Sequence, residues 1–388
     1  MSVTAAQGFV ASGVHCGIRK KNRLDLSLVR SLVPATGAGM FTINRVLAAP
    51  VVVSREHLEL AQPQAVVTNS GVANAATGER GLLDARATAA ETARLLGLDT
   101  EEVLVLSTGV IGSQLPLANV TAGVRAAAAA LSADGGADSA SAIMTTDTQP
   151  KEAVAHGAGF TVGGMAKGSG MIHPQLATML AVVTTDYPLG AGEAIEFLRP
   201  AVDASFNAIS VDGECSTNDT VVLLANGASD VARTPASDEQ FALCLRTVCG
   251  ELARQIVADG EGATVVAEIA VHGAASDAEA RAIAERVATS PLVKTALHGH
   301  DANWGRIAAA AGSAKFAGGY AELDPDVLSI AIDGVPVLVH GTPSGDEPTL
   351  TNGHCAISLD LALGDGAATY LTTDLSYDYV RINADYRS

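Results

Sequence analysis

The residues best able to do chemistry crowd into Lys167-Gly168-Ser169-Gly170-Met171-Ile172-His173-Pro174-Gln175-Leu176-Ala177-Thr178-Met179-Leu180. A Gly-rich loop there leads to a threonine at the head of a hydrophobic strand. A threonine hydroxyl is a latent nucleophile, yet Thr is also a common first residue of a strand. Residue types alone leave both readings open. A second segment, Ser107 to Gly112, follows the apolar run Val103-Leu104-Val105-Leu106. Its turn either offers backbone N–H groups to an anion or simply ends a strand. His298-Gly299-His300-Asp301 hints at a metal, but alternate histidines in a loop serve hydrogen bonding more often. There is no GxxxxGK[ST] loop, because Lys167 sits in Gly-Gly-Met-Ala-Lys-Gly with the wrong spacing. GxGxxG after a strand, GxSxG and HExxH are also absent. Nucleotide binding, an esterase elbow and zinc proteolysis are therefore disfavoured.

The elements that would position these segments alternate between helix and strand. Strands are expected at Ala65 to Asn69, Val103 to Leu106, Thr178 to Val183 and Asp219 to Leu224. Asp84 is read as capping a helix that runs to Leu96 and stops at Gly97. Further helices are expected at 117–131, from Ser237 and Asp238 to Val257, and at 278–288. Leu328, Ile330 and Ile332, then Asp333-Gly334, then Val335, Val337 and Val339 read as a hairpin with a DG turn. Ile357, Leu359, Leu361 and Leu363 alternate with small or polar residues, which gives that strand one buried face. The best domain boundary is the loop from Gly273 to Asp277, with a smaller domain from about residue 280.

The 388 residues hold 24 Lys+Arg against 42 Asp+Glu, a net charge of −18. So acidic a chain is a poor general partner for nucleic acid or an anionic membrane surface. Hydrophobic residues make up 48% but aromatics only 4%, so the core must be built from Ala, Val, Leu and Ile. Five cysteines without a CxxC pair argue against a disulfide scaffold or a zinc ribbon. No apolar run reaches the ~18 residues of a membrane span, and the N-terminus lacks a secretory pattern. A cytoplasmic enzyme is the expectation.

The Lys167 to Leu180 stretch resembles the self-cleavage site of the ornithine acetyltransferase (ArgJ) family. Other blocks resemble the same family in the same order. They are Phe41 to Val46, Asn69-Ser70-Gly71, Asn74, Ser107 to Gly112, Met144 to Asp147, Asp212, Ser216 to Thr220, Asp259 to Gly262, Leu292 to Ala296, Asn303 to Arg306, and Asn383 to Ser388. The resemblance implies an α/β fold, a layered α-β-β-α sandwich like the N-terminal-nucleophile hydrolases, with a smaller C-terminal α/β domain. It implies self-cleavage between Ala177 and Thr178, giving an α chain 1–177 and a β chain 178–388. Within the β chain, 178–279 would complete the sandwich and 280–388 would form the smaller domain.

By the same resemblance Thr178 is the nucleophile, and its newly freed α-amine, with an ordinary pKa near ~8, serves as the base. Thr108 and Gly109 form the oxyanion hole. Thr146, Lys167, Thr178, Glu261, Asn383 and Ser388 contact substrate. The implied reaction is glutamate N-acetyltransfer from N²-acetylornithine through acetyl-Thr178, within arginine biosynthesis. No metal or cofactor is implied, and acetyl-CoA is a second donor that the family admits. The implied assembly is α₂β₂. Asp212 and Asn218 are expected to support the site, and Asn303, Trp304 and Arg306 to be structural. Leu47 stands where the family often has Lys, and Val72 and Ala76 also depart from its pattern. Two rivals remain: a paralogue serving a specialised pathway, and a self-processing amidase or aminopeptidase that passes the acyl group to water. A non-enzyme, an uncleaved amino-acid-binding relative, is disfavoured by the intact Ala177-Thr178 and Thr108-Gly109 pairs.

Overall fold

A computed structural model describes residues 2–19, 23–173, 179–351 and 353–385. Its contacts divide the chain into two compact units, Met1–Asn207 with Glu214–Ile256, and Ala208–Gly213 with Val257–Tyr386. The chain forms β1 (Phe9–Val14), β2 (Leu26–Ser31), β3 (Thr36–Phe41), α1 (Ala49–Leu60), β4 (Ala65–Val72), α2 (Gly78–Leu96), β5 (Val103–Val110), α3 (Leu117–Ala129) and α4 (Gly136–Ala142). There follow β6 (Lys151–His156), β7 (Thr161–Lys167), β8 (Leu180–Thr185), α5 (Ala194–Asp203), β9 (Ile209–Ser210), β10 (Thr220–Ala225) and α6 (Pro235–Ala258).

The first unit is a two-sheet sandwich. One sheet has the order β1-β2-β4-β5 and the other β3-β10-β8-β7-β6. Strand alternation explains the layering. Val29, Val66, Leu104 and Leu106 meet Met165, Leu180, Val182, Val222 and Leu224 between the sheets. Their neighbours Leu28, Val67, Val103 and Val105 face the other way, onto Ala89, Ala93, Val120 and Val124 of α2 and α3. Val183 on β8 looks outward towards Val248 and Leu252 of α6, beside Gly164. The expected α-β-β-α order is thus present within this unit. Small residues make up for the shortage of aromatics, and Tyr187 stacks on Phe241 at 4.7 Å between ring centroids.

The second unit continues with β11 (Val265–Ala274), α7 (Asp277–Ala288), α8 (Pro291–His298), α9 (Trp304–Ala311), β12 (Lys315–Phe316), β13 (Gly319–Tyr320), β14 (Ser329–Ile332), β15 (Val335–Val339), β16 (Thr342–Pro343), β17 (Gly353–Asp360), β18 (Gly366–Thr373) and α10 (Tyr377–Asp385). Its seven-stranded sheet has the order β16-β15-β14-β17-β11-β18-β9. The division therefore falls after Ile256 and not near residue 280. The reason is β11, which pairs with β17 on one side and β18 on the other and cannot belong to the sandwich. Residues 208–213 also join the second unit through β9.

Local expectations fared unevenly. Gly97 caps α2 with a left-handed φ of 68°, and Asp333 (48°) and Gly334 (78°) make the expected hairpin turn. Asp84, however, lies inside α2 and takes the Arg80 guanidinium at 2.8 Å, while Thr77 occupies the N-cap position. Thr161–Lys167, where no strand was expected, forms β7, a buried strand between β6 and β8. Glycine is required there by close approach: a Cβ on Gly163 would lie 2.1 Å from the Ser2 carbonyl oxygen. We expect Gly163→Ala to destabilise the fold by about 2 kcal/mol. By contrast, Gly250→Ala on α6, where a Cβ meets nothing within 4 Å, should stabilise it by about 0.5–1 kcal/mol. Urea unfolding of the two variants checks both signs.

Candidate active site

In the first unit, β4 and β5 run parallel until Ser70↔Thr108 and Gly71↔Gly109, where the register shifts into a bulge. Gly71 (φ 107°) and Gly109 (φ 130°) both need conformations that side chains disfavour. A Cβ on Gly109 would lie 2.3 Å from the Gly71 carbonyl carbon, so only glycine fits. The bulge stops regular pairing and frees the end of β5 for other partners.

Three side chains hold this strand end. Asn218 donates through Nδ2 to the carbonyls of Ser107 (2.8 Å) and Ala73 (2.6 Å). The Ser107 hydroxyl donates to Asn69 Oδ1 at 2.6 Å, and Asn69 Nδ2 donates to the Val72 carbonyl at 2.9 Å. These ties satisfy the carbonyls around Thr108 and Gly109 and fix the direction of the turn. Thr108 itself is buried. Asn218 thus braces the strand end that carries Thr108 and Gly109. Asp212 lies in the second unit, where it accepts from the Tyr379 hydroxyl at 3.2 Å.

Lys167 ends β7 and is almost fully buried. Close to it lies a buried ion pair that sequence reasoning missed, Lys151 Nζ to Asp147 Oδ1 at 2.7 Å. The same Oδ1 accepts from the Gly168 N–H at 2.7 Å, and Oδ2 accepts from the Thr145 N–H at 2.8 Å. Thr146, half-buried, is therefore held between two residues of this network. Burial alone would push the Asp147 carboxyl up, but the Lys167 and Lys151 charges outweigh it and hold it below the ordinary carboxylate range. The only signal for the pair in the sequence was Asp-x-x-x-Lys, which is weak on its own.

Asp219 was also missed as a separate group. It is completely buried just before β10. Its Oδ1 accepts the Met179 N–H at 3.0 Å, and its Oδ2 has no hydrogen-bond partner. Burial pushes this carboxyl well above its usual value, and the Met179 N–H, the Lys167 charge and the polar groups of Ser216 offset only part of the rise. Burial also pushes all five cysteine thiols up, which makes each a weak nucleophile candidate. The His173 imidazole is pushed the other way, towards its neutral form, by burial.

Thr108, Gly109, Thr146 and Lys167 all lie in the first unit, where Asn218 bonds the Ser107 carbonyl and Asp147 accepts the Gly168 N–H next to Lys167. Ala177, Thr178 and Ser388 lie outside the described residues. Glu261 and Asn383 lie in the second unit and meet there: Asn383 Nδ2 donates to Glu261 Oε2 at 2.8 Å. Asn383 is not on a frayed end but on α10, which is tied down by the Ser376 hydroxyl donating to the Gly262 carbonyl at 2.6 Å. Asn303 caps α9 by accepting from the Arg306 N–H, and Arg306 Nη1 donates to the Leu292 carbonyl at 2.9 Å, so both serve structure. His298 bonds Asp374 at 2.9 Å, the hydrogen-bonding reading of that histidine pair.

The first unit is thus a two-sheet α/β sandwich with a glycine-shaped strand end on β5 and a buried lysine at the end of β7. The family model described as the ArgJ family matches residues 10–388, and the chain belongs to that family. It is 48% identical to an "Arginine biosynthesis bifunctional protein ArgJ" of Symbiobacterium thermophilum, over 100% of this chain and 98% of that protein. It is 47% identical to a protein of the same name from Mycolicibacterium paratuberculosis, over 100% of this chain and 96% of that one. A solved ornithine acetyltransferase from Mycobacterium tuberculosis, complexed with ornithine, is 44% identical over 45% of this chain and 94% of that chain, with a TM-score of 0.44.

Asp219 makes a stability prediction with a definite sign. A carboxyl whose folded pKa is raised leaves the native state holding the extra proton between the unfolded and folded values. Its contribution to stability is therefore present below the unfolded value near pH 4 and lost as pH rises towards the folded one. Asp219→Asn cannot titrate, so we expect its melting temperature to exceed that of the wild type at pH 8 and to lose that advantage at pH 4. For the Asp147–Lys151 pair, Asp147→Asn leaves a buried ammonium with a neutral partner. It should cost about 3 kcal/mol at pH 7 by chemical denaturation.

Proposed function

We propose that this chain is a glutamate N-acetyltransferase that moves acetyl from N²-acetylornithine to glutamate. The single observation that carries the reading is the Asn218-braced turn at Thr108 and Gly109, set in a chain that belongs to the ArgJ family. In this proposal the chain cleaves itself between Ala177 and Thr178. Thr178 then takes the acetyl group and releases ornithine, its α-amine acting as the base. Glutamate attacks the acetyl-enzyme and leaves as N-acetylglutamate. One amide replaces another, so the exchange runs without ATP or a metal.

Acyl transfer passes through a tetrahedral oxyanion, for which Thr108 and Gly109 are the proposed donors. Lys167 suits a substrate carboxylate and Glu261 an ammonium group. Thr146, Thr178, Asn383 and Ser388 complete the proposed substrate contacts. The curated relatives are named bifunctional, and we read acetyl-CoA as the second donor. The α and β chains are proposed to stay associated as α₂β₂ in the cytoplasm. No helix among the described residues is long and apolar enough to cross a membrane.

The test begins with mass under denaturing conditions. The wild type should give two chains, the second starting at Thr178, while Thr178→Ala stays single at 39.2 kDa. Purified enzyme should then move labelled acetyl from N²-acetylornithine to glutamate. Thr108→Ala should lower kcat by about 10²–10³-fold, the usual effect of losing one oxyanion donor. Acetate release that does not depend on glutamate would favour the amidase reading instead.

A further inference from the structure

Each sheet of the first unit has two edge strands, and an edge with free N–H and carbonyl groups invites another strand. Three of these edges are closed by the chain itself. On β1 the Ala11 N–H donates to the Ser132 carbonyl at 2.9 Å, and the Ser132 N–H donates back to the Ala11 carbonyl at 3.0 Å. On β5 the Ser54 hydroxyl accepts from the Val105 N–H at 2.9 Å and donates to its carbonyl at 2.8 Å. On β6 the Gln255 amide accepts from the Glu152 N–H at 3.1 Å and donates to its carbonyl at 3.0 Å.

The fourth edge, β3, is open. Its Thr42 N–H bonds the Asp219 carbonyl, so in this antiparallel register the peptide groups of Gly37, Gly39 and Phe41 point away from β10. The Gly37 N–H donates to Gln62 Oε1 at 3.2 Å. The Gly37 carbonyl, both polar groups of Gly39 and the Phe41 N–H have no hydrogen-bond partner among the described residues. Open hollows of about 280 and 350 Å³ flank the strand, one beside α1 and one beside α5, and both reach Gly39, Phe41 and Ile195. We propose that β3 pairs antiparallel with β3 of a second copy of this chain, about a two-fold axis at Gly39. The two five-stranded sheets then join edge to edge. This surface is where the halves of the α₂β₂ assembly would meet, and the inference rests on that reading.

The side chains fit their own inverse. With Gly39 opposite Gly39, Phe41 faces Gly37 and Met40 faces Ala38, so each bulky residue meets a small one. The Gly39 N–H of each copy donates to the Gly39 carbonyl of the other, and each Phe41 N–H donates to a Gly37 carbonyl. Ile43, 62% exposed, falls opposite Ala35 of the second copy.

Charge selects the same occupant. Arg55 and Glu59 on α1 line one hollow, and Arg199 and Asp203 on α5 line the other. Arg55 is held at the edge by donating to the Thr42 carbonyl at 2.9 Å. A two-fold axis reverses each helix relative to its copy. Arg55 then looks towards Glu59 of the second copy, and Arg199 towards its Asp203. A groove of one sign would call for a charged peptide, whereas paired opposite charges on both sides complement themselves.

The test uses the purified full-length protein in sedimentation equilibrium, where the wild type should show twice the 39.2 kDa of one copy. Arg199→Asp, at an exposed position, sets like charges against each other at two symmetric places. It should weaken association at least about tenfold while circular dichroism stays native. Adding Asp203→Arg swaps the charges and should restore association. Ala38→Cys with Met40→Cys places thiols opposite each other, about 4.5 Å apart at Cα. Mild oxidation should then join two β3-bearing fragments in a band that dithiothreitol removes. A dimeric wild type whose cysteine variant gives no such band would overturn the proposal, and so would Arg199→Asp associating as the wild type does. If the cysteine variant fails to fold, failure of the charge swap to restore association would overturn it as well. A wild type that stays a single copy at every concentration would sink the α₂β₂ reading, and this surface with it.

Discussion

Much of the first unit depends on one amide. Asn218 sends both of its Nδ2 protons into the end of the β4–β5 pair, to the carbonyls of Ala73 and Ser107. Asn218 sits two residues before β10, which belongs to the other sheet. One side chain therefore fixes the strand end of one sheet against the strand start of the other. An apolar residue there would leave two buried carbonyls without partners, at a cost of about 1–3 kcal/mol each. Gly71 and Gly109 take their positive-φ conformations there without the steric penalty that a side chain would bring.

The buried charges follow from the same geometry. Lys167 and Asp219 end and begin strands that run into the same region between the sheets. Neither can stay charged there without neighbours. Asp147 answers Lys151 and Gly168 at once, which pins the segment carrying Thr146 to the end of β7. Asp219 is completely enclosed, and the Met179 N–H, the Lys167 charge and the polar groups of Ser216 offset only part of the rise that burial causes. Two aspartates with nearly equal burial are thus driven in opposite directions. The difference is that the Lys167 and Lys151 charges outweigh burial at Asp147, whereas burial prevails at Asp219.

The sandwich was legible because its central strands are short, apolar and bounded by turn residues, as at 65–69, 103–106 and 219–224. The hairpin at Asp333-Gly334 announced itself through its turn chemistry. What stayed hidden was decided by tertiary contact. β7 was not expected because Gly163 and Gly164 lower strand propensity, yet a Cβ on Gly163 would collide with the Ser2 carbonyl and one on Gly164 would press on Val248 and Leu252 of α6. The place of β11 in the second unit was likewise invisible, since its partners β17 and β18 lie some ninety residues away. The site was read through family resemblance and not through spacing. A Thr-Gly pair after a strand carries little information until the bulge opposite it is seen.

The missed residues have a common cause. Lys151, Asp147 and Asp219 look like ordinary surface charges in a chain with 42 acidic residues. Sequence gives their type but not their burial, and burial is what changes their chemistry. A carboxyl on the surface beside Met179 would be ionised at neutral pH and would serve only as a hydrogen-bond acceptor. Enclosed completely, the same group is pushed well above its ordinary value, and the Met179 N–H, the Lys167 charge and the polar groups of Ser216 offset only part of that rise. The fold therefore contributes more to this site than the placing of Thr108, Gly109 and Lys167. It also sets the proton affinity of the enclosed carboxyl that accepts the Met179 N–H.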